Sequence, residues 1–165
     1  MIQIYTDFCI FLFLRYSQPP PVLQSVWFIP HVAAYFIAYL LMGGAVVLAV
    51  VELCNARREK SLCALWLNRT VKAGTFFLGI GLCLGAIWAK KAWGLYWSWD
   101  IKETFALITW GIFLLYLHLQ KIKNISRKIL CIIVIIGFSS LLFTWFGVNY
   151  LPSAQKSPHT FYGVK

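Results

Sequence analysis

Four stretches of this chain carry no Asp, Glu, Lys or Arg: Val32 to Val51, Ala73 to Ala89, Thr104 to Gln120 and Ile129 to Gln155. A hydrocarbon core of ~30 Å takes about 17 to 25 helical residues to cross, so each stretch can span, the second and third at the short end. Backbone polar groups inside lipid must be paired within the segment, which makes such runs helical. Charged residues fill only 12% of the 165 positions, about half the share in a soluble domain. The expected fold is all-α: a polytopic membrane helical bundle with about four transmembrane helices and an outward-facing Trp-rich loop. Membrane lipid is its first partner. No internal repeat, low-complexity tract or soluble domain is visible.

The formal charge of +10 could suggest nucleic acid, but its placement argues for a membrane. Arg57, Arg58, Lys60, Arg69 and Lys72 lie between spans one and two, and Lys121, Lys123, Arg127 and Lys128 between three and four. Both groups fall on one side. Lys90, Lys91, Lys102, Lys156 and Lys165 fall on the other. The positive-inside rule makes the larger group cytoplasmic, and the Trp-rich loop and C-terminal tail then face outward. No nucleic-acid partner is expected.

Two regions follow. Residues 1–30 form an N-terminal apolar stub and an extracytoplasmic Pro-rich linker, stiffened by Pro19-Pro20-Pro21. Residues 31–165 form the membrane domain. The run Phe8 to Leu14 is too short to span and lacks the basic flank and cleavage site of a signal peptide. Cys9, Cys54, Cys63, Cys83 and Cys131 are scattered with no C-x-x-C among them, so neither a disulfide framework nor a thiol relay is expected. Gly43-Gly44 and Gly79, Gly81 and Gly85 permit close helix approach.

Between spans two and three, Trp93-Gly94-Leu95-Tyr96-Trp97-Ser98-Trp99-Asp100 holds three of the eight tryptophans. Rings near a bilayer surface commonly form an interfacial belt. A belt needs neither this density nor the acidic end, and flat rings around one loop suit a large, flat, apolar ligand such as haem. From the residues alone, both uses stay open.

The three histidines sort by depth. His31 opens span one at its outer end, and His159 lies in the outer tail, on the side of the Trp-rich loop. Two imidazoles on one surface can serve as axial ligands of one iron. His118 lies fifteen residues beyond Glu103, about 22 Å deeper at 1.5 Å per helical residue. It is therefore either a deeper ligand whose partner comes from elsewhere, or a histidine at the inner headgroup level.

The run from Trp93 to Thr104, continuing through Ala106-Leu-Ile-Thr-Trp110 to Tyr116-Leu-His118, resembles the WWD haem-handling family, nearest its CcsA (ResC) branch of System II cytochrome c biogenesis. The flanks Leu23-Gln-Ser-Val-Trp27, Pro30-His-Val32, Gly85-Ala-Ile-Trp-Ala89 and Gly147-Val-Asn-Tyr-Leu151 followed by His159 are similar to it as well. The resemblance covers about residues 19 to 163, and the chain looks like a C-terminal portion. Ile101 stands where the family usually has Pro.

By resemblance, His31 and His159 match the two external haem ligands, and His118 matches the membrane-embedded histidine of a deeper haem site. Trp93, Trp97, Trp99 and Asp100 match the signature. The implied ligand is haem b, its iron bound by histidines. The implied partners are a ResB/CcsB-like membrane subunit and an apocytochrome c. The implied activity is that of a cytochrome c synthase subunit, presenting haem for covalent attachment to a C-x-x-C-H motif in a bacterial inner membrane. No catalytic nucleophile is expected from this chain. Lys90, Lys91 and Lys102 either pair with haem propionates or snorkel to headgroups. A CcmC-like haem carrier without attachment activity and an inactive truncated fragment are the alternatives.

Overall fold

The computed structural model describes residues 25–54 and 62–151. In chain order these form α1 (Phe28–Cys54), α2 (Leu62–Trp93), α3 (Ile101–Leu119) and α4 (Arg127–Trp145), closed by a 3-10 turn, Gly147–Tyr150. There is no strand among the described residues. By length and composition α1, α2 and α4 can each cross a membrane. The 19-residue α3 reaches ~28 Å at 1.5 Å per residue, and carries Lys102 and Glu103 in its first turn. The chain is a polytopic helical membrane protein.

The helix ends differ from the charge-free stretches, for two physical reasons. Charges close an apolar window without breaking a helix, so α2 begins at Leu62 and runs through Arg69 and Lys72. The Arg69 guanidinium lies 5.5 Å over the Trp66 ring, a cation–π placement suited to an interface. Apolar composition also does not keep a helix going. α4 stops at Trp145, Phe146 departs at φ −103 and ψ −48, and the chain tightens into the 3-10 turn.

Packing is set by small residues meeting large ones, since in lipid the association of helices relies on van der Waals fit. Along α1, Ala34, Ala38, Met42, Ala45 and Ala49 are buried. A Cβ on Gly74 of α2 would lie 2.7 Å from Met42 Cε, and one on Gly81 would lie 2.9 Å from Tyr35 Cε2. Each step toward the end of α2 thus meets a step back along α1, an antiparallel pair. α3 and α4 form the second pair: Thr109 and Ser140 hydroxyls lie 2.7 Å apart, and a Cβ on Gly137 would reach Phe113 Cζ at 2.8 Å. Between the pairs, Trp110 Nε1 donates to the Thr75 carbonyl at 3.1 Å, and the Tyr116 hydroxyl donates to Asn68 Oδ1. Gly79 lies against that Trp110 ring, whereas Gly44 has open space beside it.

This arrangement gathers Phe28, Trp93, Ile101 and Trp145 at one end of the bundle. The other end holds Lys121, Lys123, Arg127 and Lys128, where Arg127 Nη1 lies 3.3 Å from Oε1 of the buried Glu52. The Trp-rich loop and His31 therefore share the end opposite this basic group.

Candidate functional site

Gly94 ends α2. Its φ of +86 is a conformation glycine adopts without a Cβ penalty, and its N–H donates to the Lys90 carbonyl at 3.1 Å. Lys90 answers from its side chain, donating from Nζ to the Gly94 carbonyl at 2.7 Å and lying 5.3 Å over the Tyr96 ring. Lys90 thus shapes the loop itself.

The far side of the loop is fastened by acids. Asp100 is the N-cap of α3, and its Oδ1 accepts from the Glu103 N–H at 2.8 Å. Glu103, itself buried, turns back so that Oε2 accepts from Ser98 N–H at 2.7 Å and Ser98 Oγ at 3.2 Å. This is a capping box extended beyond the cap residue. Ile101 is the first helical residue, the position at which proline is favoured for its preset φ; here the turn is held by side-chain bonds instead. Between these fastenings Trp99 adopts φ +58, a left-handed conformation that costs a non-glycine residue roughly 1–2 kcal/mol. Its exposed ring meets Trp97 edge-on at 5.9 Å. Trp97 Nε1 is buried without a hydrogen-bond acceptor among the described residues.

His31 lies in the first turn of α1, half-buried against α2. Its Nδ1 is 2.9 Å from the Gly81 carbonyl oxygen. A carbonyl only accepts, so Nδ1 carries the proton, and in the neutral ring Nε2 is then the nitrogen with the lone pair. The ring stacks on Trp88 at 5.6 Å and 19° and meets Tyr35 edge-on at 5.0 Å. Trp88 in turn touches Trp93 at 5.0 Å and Phe28 at 5.4 Å. An unbroken aromatic contact path therefore joins His31 to the start of the Trp-rich run.

His118 is not part of this assembly. It is exposed in the last turn of α3, at the end of the bundle that holds the basic residues. His159 lies outside the described residues, as do the stub and linker through residue 24. No cluster of three or more His, Cys, Asp or Glu able to hold a metal occurs among the described residues; a two-imidazole site needs none. The sequence reading passed over the Glu103–Ser98 clamp, although Asp100-x-x-Glu103 has capping-box spacing, and it treated Trp88 only as a flanking match.

The capping role of Asp100 is tested by substitution. Asp100→Ala should cost α3 about 1 kcal/mol through loss of its cap, whereas Asp100→Asn should keep most of it. Resistance to detergent denaturation measures this, and equal losses would show that the cap is not the source.

A family model described as Cytochrome C assembly protein matches residues 1–154. Proteins named cytochrome c biogenesis protein CcsA are similar over large parts of the chain. The one from Trachelium caeruleum is 32% identical over 87% of this chain and 59% of its own length. The one from Chlamydomonas reinhardtii is 36% identical over 83% of this chain and 42% of its own. The one from Spinacia oleracea is 48% identical over 52% of this chain and 27% of its own. The chain thus covers between 27% and 59% of the length of these curated relatives. With the match spanning all four helices and the Trp-rich loop, the chain belongs to the cytochrome c assembly protein family.

Proposed function

We propose that this chain binds haem at the loop-bearing end of the bundle and presents it for covalent attachment to the C-x-x-C-H thiols of an apocytochrome c. Haem is substrate here: thioether bonds form between its vinyl groups and two thiols brought by the client. What the chain supplies is ligation, orientation and exclusion of water. His31 and His159 are the axial ligands. Trp93, Trp97 and Trp99 enclose the ring; the buried Trp97 N–H has no acceptor among the described residues, and a polar group of the ligand would satisfy it. Asp100 contributes by holding the loop's exit. His118 belongs to a deeper site shared with a ResB/CcsB-like membrane subunit.

The observation that carries this reading is the state of His31. It sits beside the aromatic run with its Nδ1 proton given to a backbone carbonyl, the arrangement by which metal-ligating histidines fix ring orientation and present the other nitrogen. The charge asymmetry of the bundle supports a topology with this end outside the cytoplasm. The relatives named above come from land plants and a green alga, and the same charge rule assigns the loop-bearing end to the side away from the basic loops whichever membrane holds the chain.

The test is the absorption spectrum of the purified membrane protein. Bis-histidine haem b is expected, and His31→Ala or His159→Ala should each abolish most of the low-spin signal, with added imidazole restoring part of it. Unchanged spectra in both variants would rule the pairing out. Normal haem binding without attachment to a reporter cytochrome, whatever the partner supplied, would instead favour a haem carrier.

A further inference from the structure

We propose that the backbone of α2 positions His31 for its ligand: the Gly81 carbonyl sets the imidazole tautomer, and Gly85 supplies the notch in which the ring lies. The inference rests on the reading that His31 ligates haem iron. Gly81 and Gly85 are one turn apart and lie on one face of α2. Tyr35 and His31 have the same spacing on α1. A Cβ at Gly85 would lie 2.7 Å from His31 Cε1 and 2.9 Å from Nδ1, closer than non-bonded carbon atoms approach. The imidazole therefore occupies the volume a side chain at position 85 would fill. Trp88, three residues further along the same helix, stacks nearly parallel on the ring, and Tyr35 meets it edge-on.

The consequence is chemical as well as steric. A half-buried imidazole can present either nitrogen outward. In the neutral ring the bond to the Gly81 oxygen selects the Nδ1–H tautomer, so that a metal ion would be bound through Nε2. A histidine at this position without the notch would tilt away from the carbonyl and lose this selection. Gly81, Gly85 and Trp88 are positioning residues, since none of them has to touch haem for this effect.

The experiment compares Gly85→Ala, His31→Ala and the double variant in the full chain, purified with haem loaded during expression. Gly85→Ala is expected to lower the low-spin haem fraction about tenfold, equivalent to ~1.4 kcal/mol, with partial recovery in imidazole. Gly44→Ala, where a Cβ meets open space, should leave it unchanged. In the His31→Ala background, Gly85→Ala should add nothing, because no imidazole remains to be displaced. An equal loss in both backgrounds, or no loss in the single variant, overturns the inference while leaving His31 ligation standing. A normal spectrum for His31→Ala overturns the ligand reading itself. Should Gly85→Ala fail to accumulate, nitrogen-15 histidine NMR of the haem-free wild-type chain decides, with His31 assigned by subtraction of the His31→Ala spectrum. The Nδ1–H tautomer is expected there, and the Nε2–H tautomer overturns the proposal.

Discussion

Glu103→Leu is expected to lower haem occupancy of the outer site between about tenfold and a hundredfold while leaving the four helices inserted. The buried carboxylate accepts from both the backbone N–H and the hydroxyl of Ser98. A hydrogen bond to a charged group contributes roughly 1.5–3 kcal/mol, and tenfold in an equilibrium corresponds to ~1.4 kcal/mol. Opposing it is the strain at Trp99, whose positive φ persists only while its surroundings enforce it. Without the clamp, Trp99 relaxes toward ordinary backbone and the Trp97–Trp99 pair loses its edge-on geometry. Glu103→Gln keeps an acceptor oxygen for Ser98 and should fall between the two. The checks are haem per protein by pyridine haemochrome and insertion by protease accessibility. If leucine and glutamine behave alike, or occupancy is unaffected, the loop does not depend on this clamp.

That clamp marks where sequence reading stops. The helical architecture was legible because charges are scarce and clustered, so the apolar runs stand out without any knowledge of packing. The helix ends were not, since α2 passes through four basic residues, Arg69, Lys72, Lys90 and Lys91, and α4 stops inside an apolar run. The depth of His31 followed from its place at the start of a span. Its partner did not, because a backbone carbonyl fifty residues away has no residue-type signature. Trp99 gave no warning of a left-handed backbone, which bulky residues rarely adopt. The bond from Lys90 to the loop's own Gly94 carbonyl has no signal in the sequence beyond the four-residue spacing of the two. The glycines were read as allowing close approach, which holds at Gly81 and Gly85; which large side chain fills each gap required the three-dimensional register.

His118 should matter only when a partner subunit is present. It sits in the last turn of α3, exposed, about 22 Å along the helix from Glu103, and therefore cannot share an iron with His31. On the same helix Leu107, Ile108, Leu114 and Leu115 are exposed, and Gly111 has open space where a Cβ would stand. This uncovered apolar face is suited to packing against a neighbouring helix, and a second ligand carried on that helix would meet His118 at the end of the face. Expressed by itself, the chain should carry at most one haem population, and His118→Ala should barely alter it. Co-expressed with a ResB/CcsB-like subunit, the complex should gain a second haem site and label a C-x-x-C-H reporter covalently. On the proposed route, with haem passing outward from the inner site, His118→Ala should then remove the second population and lower loading of the outer site. Haem staining of the reporter, in cells lacking their own maturation system, reads the final step. Robust staining from this chain alone would refute the division of labour between two subunits. A second haem population insensitive to His118→Ala would place the inner ligand elsewhere.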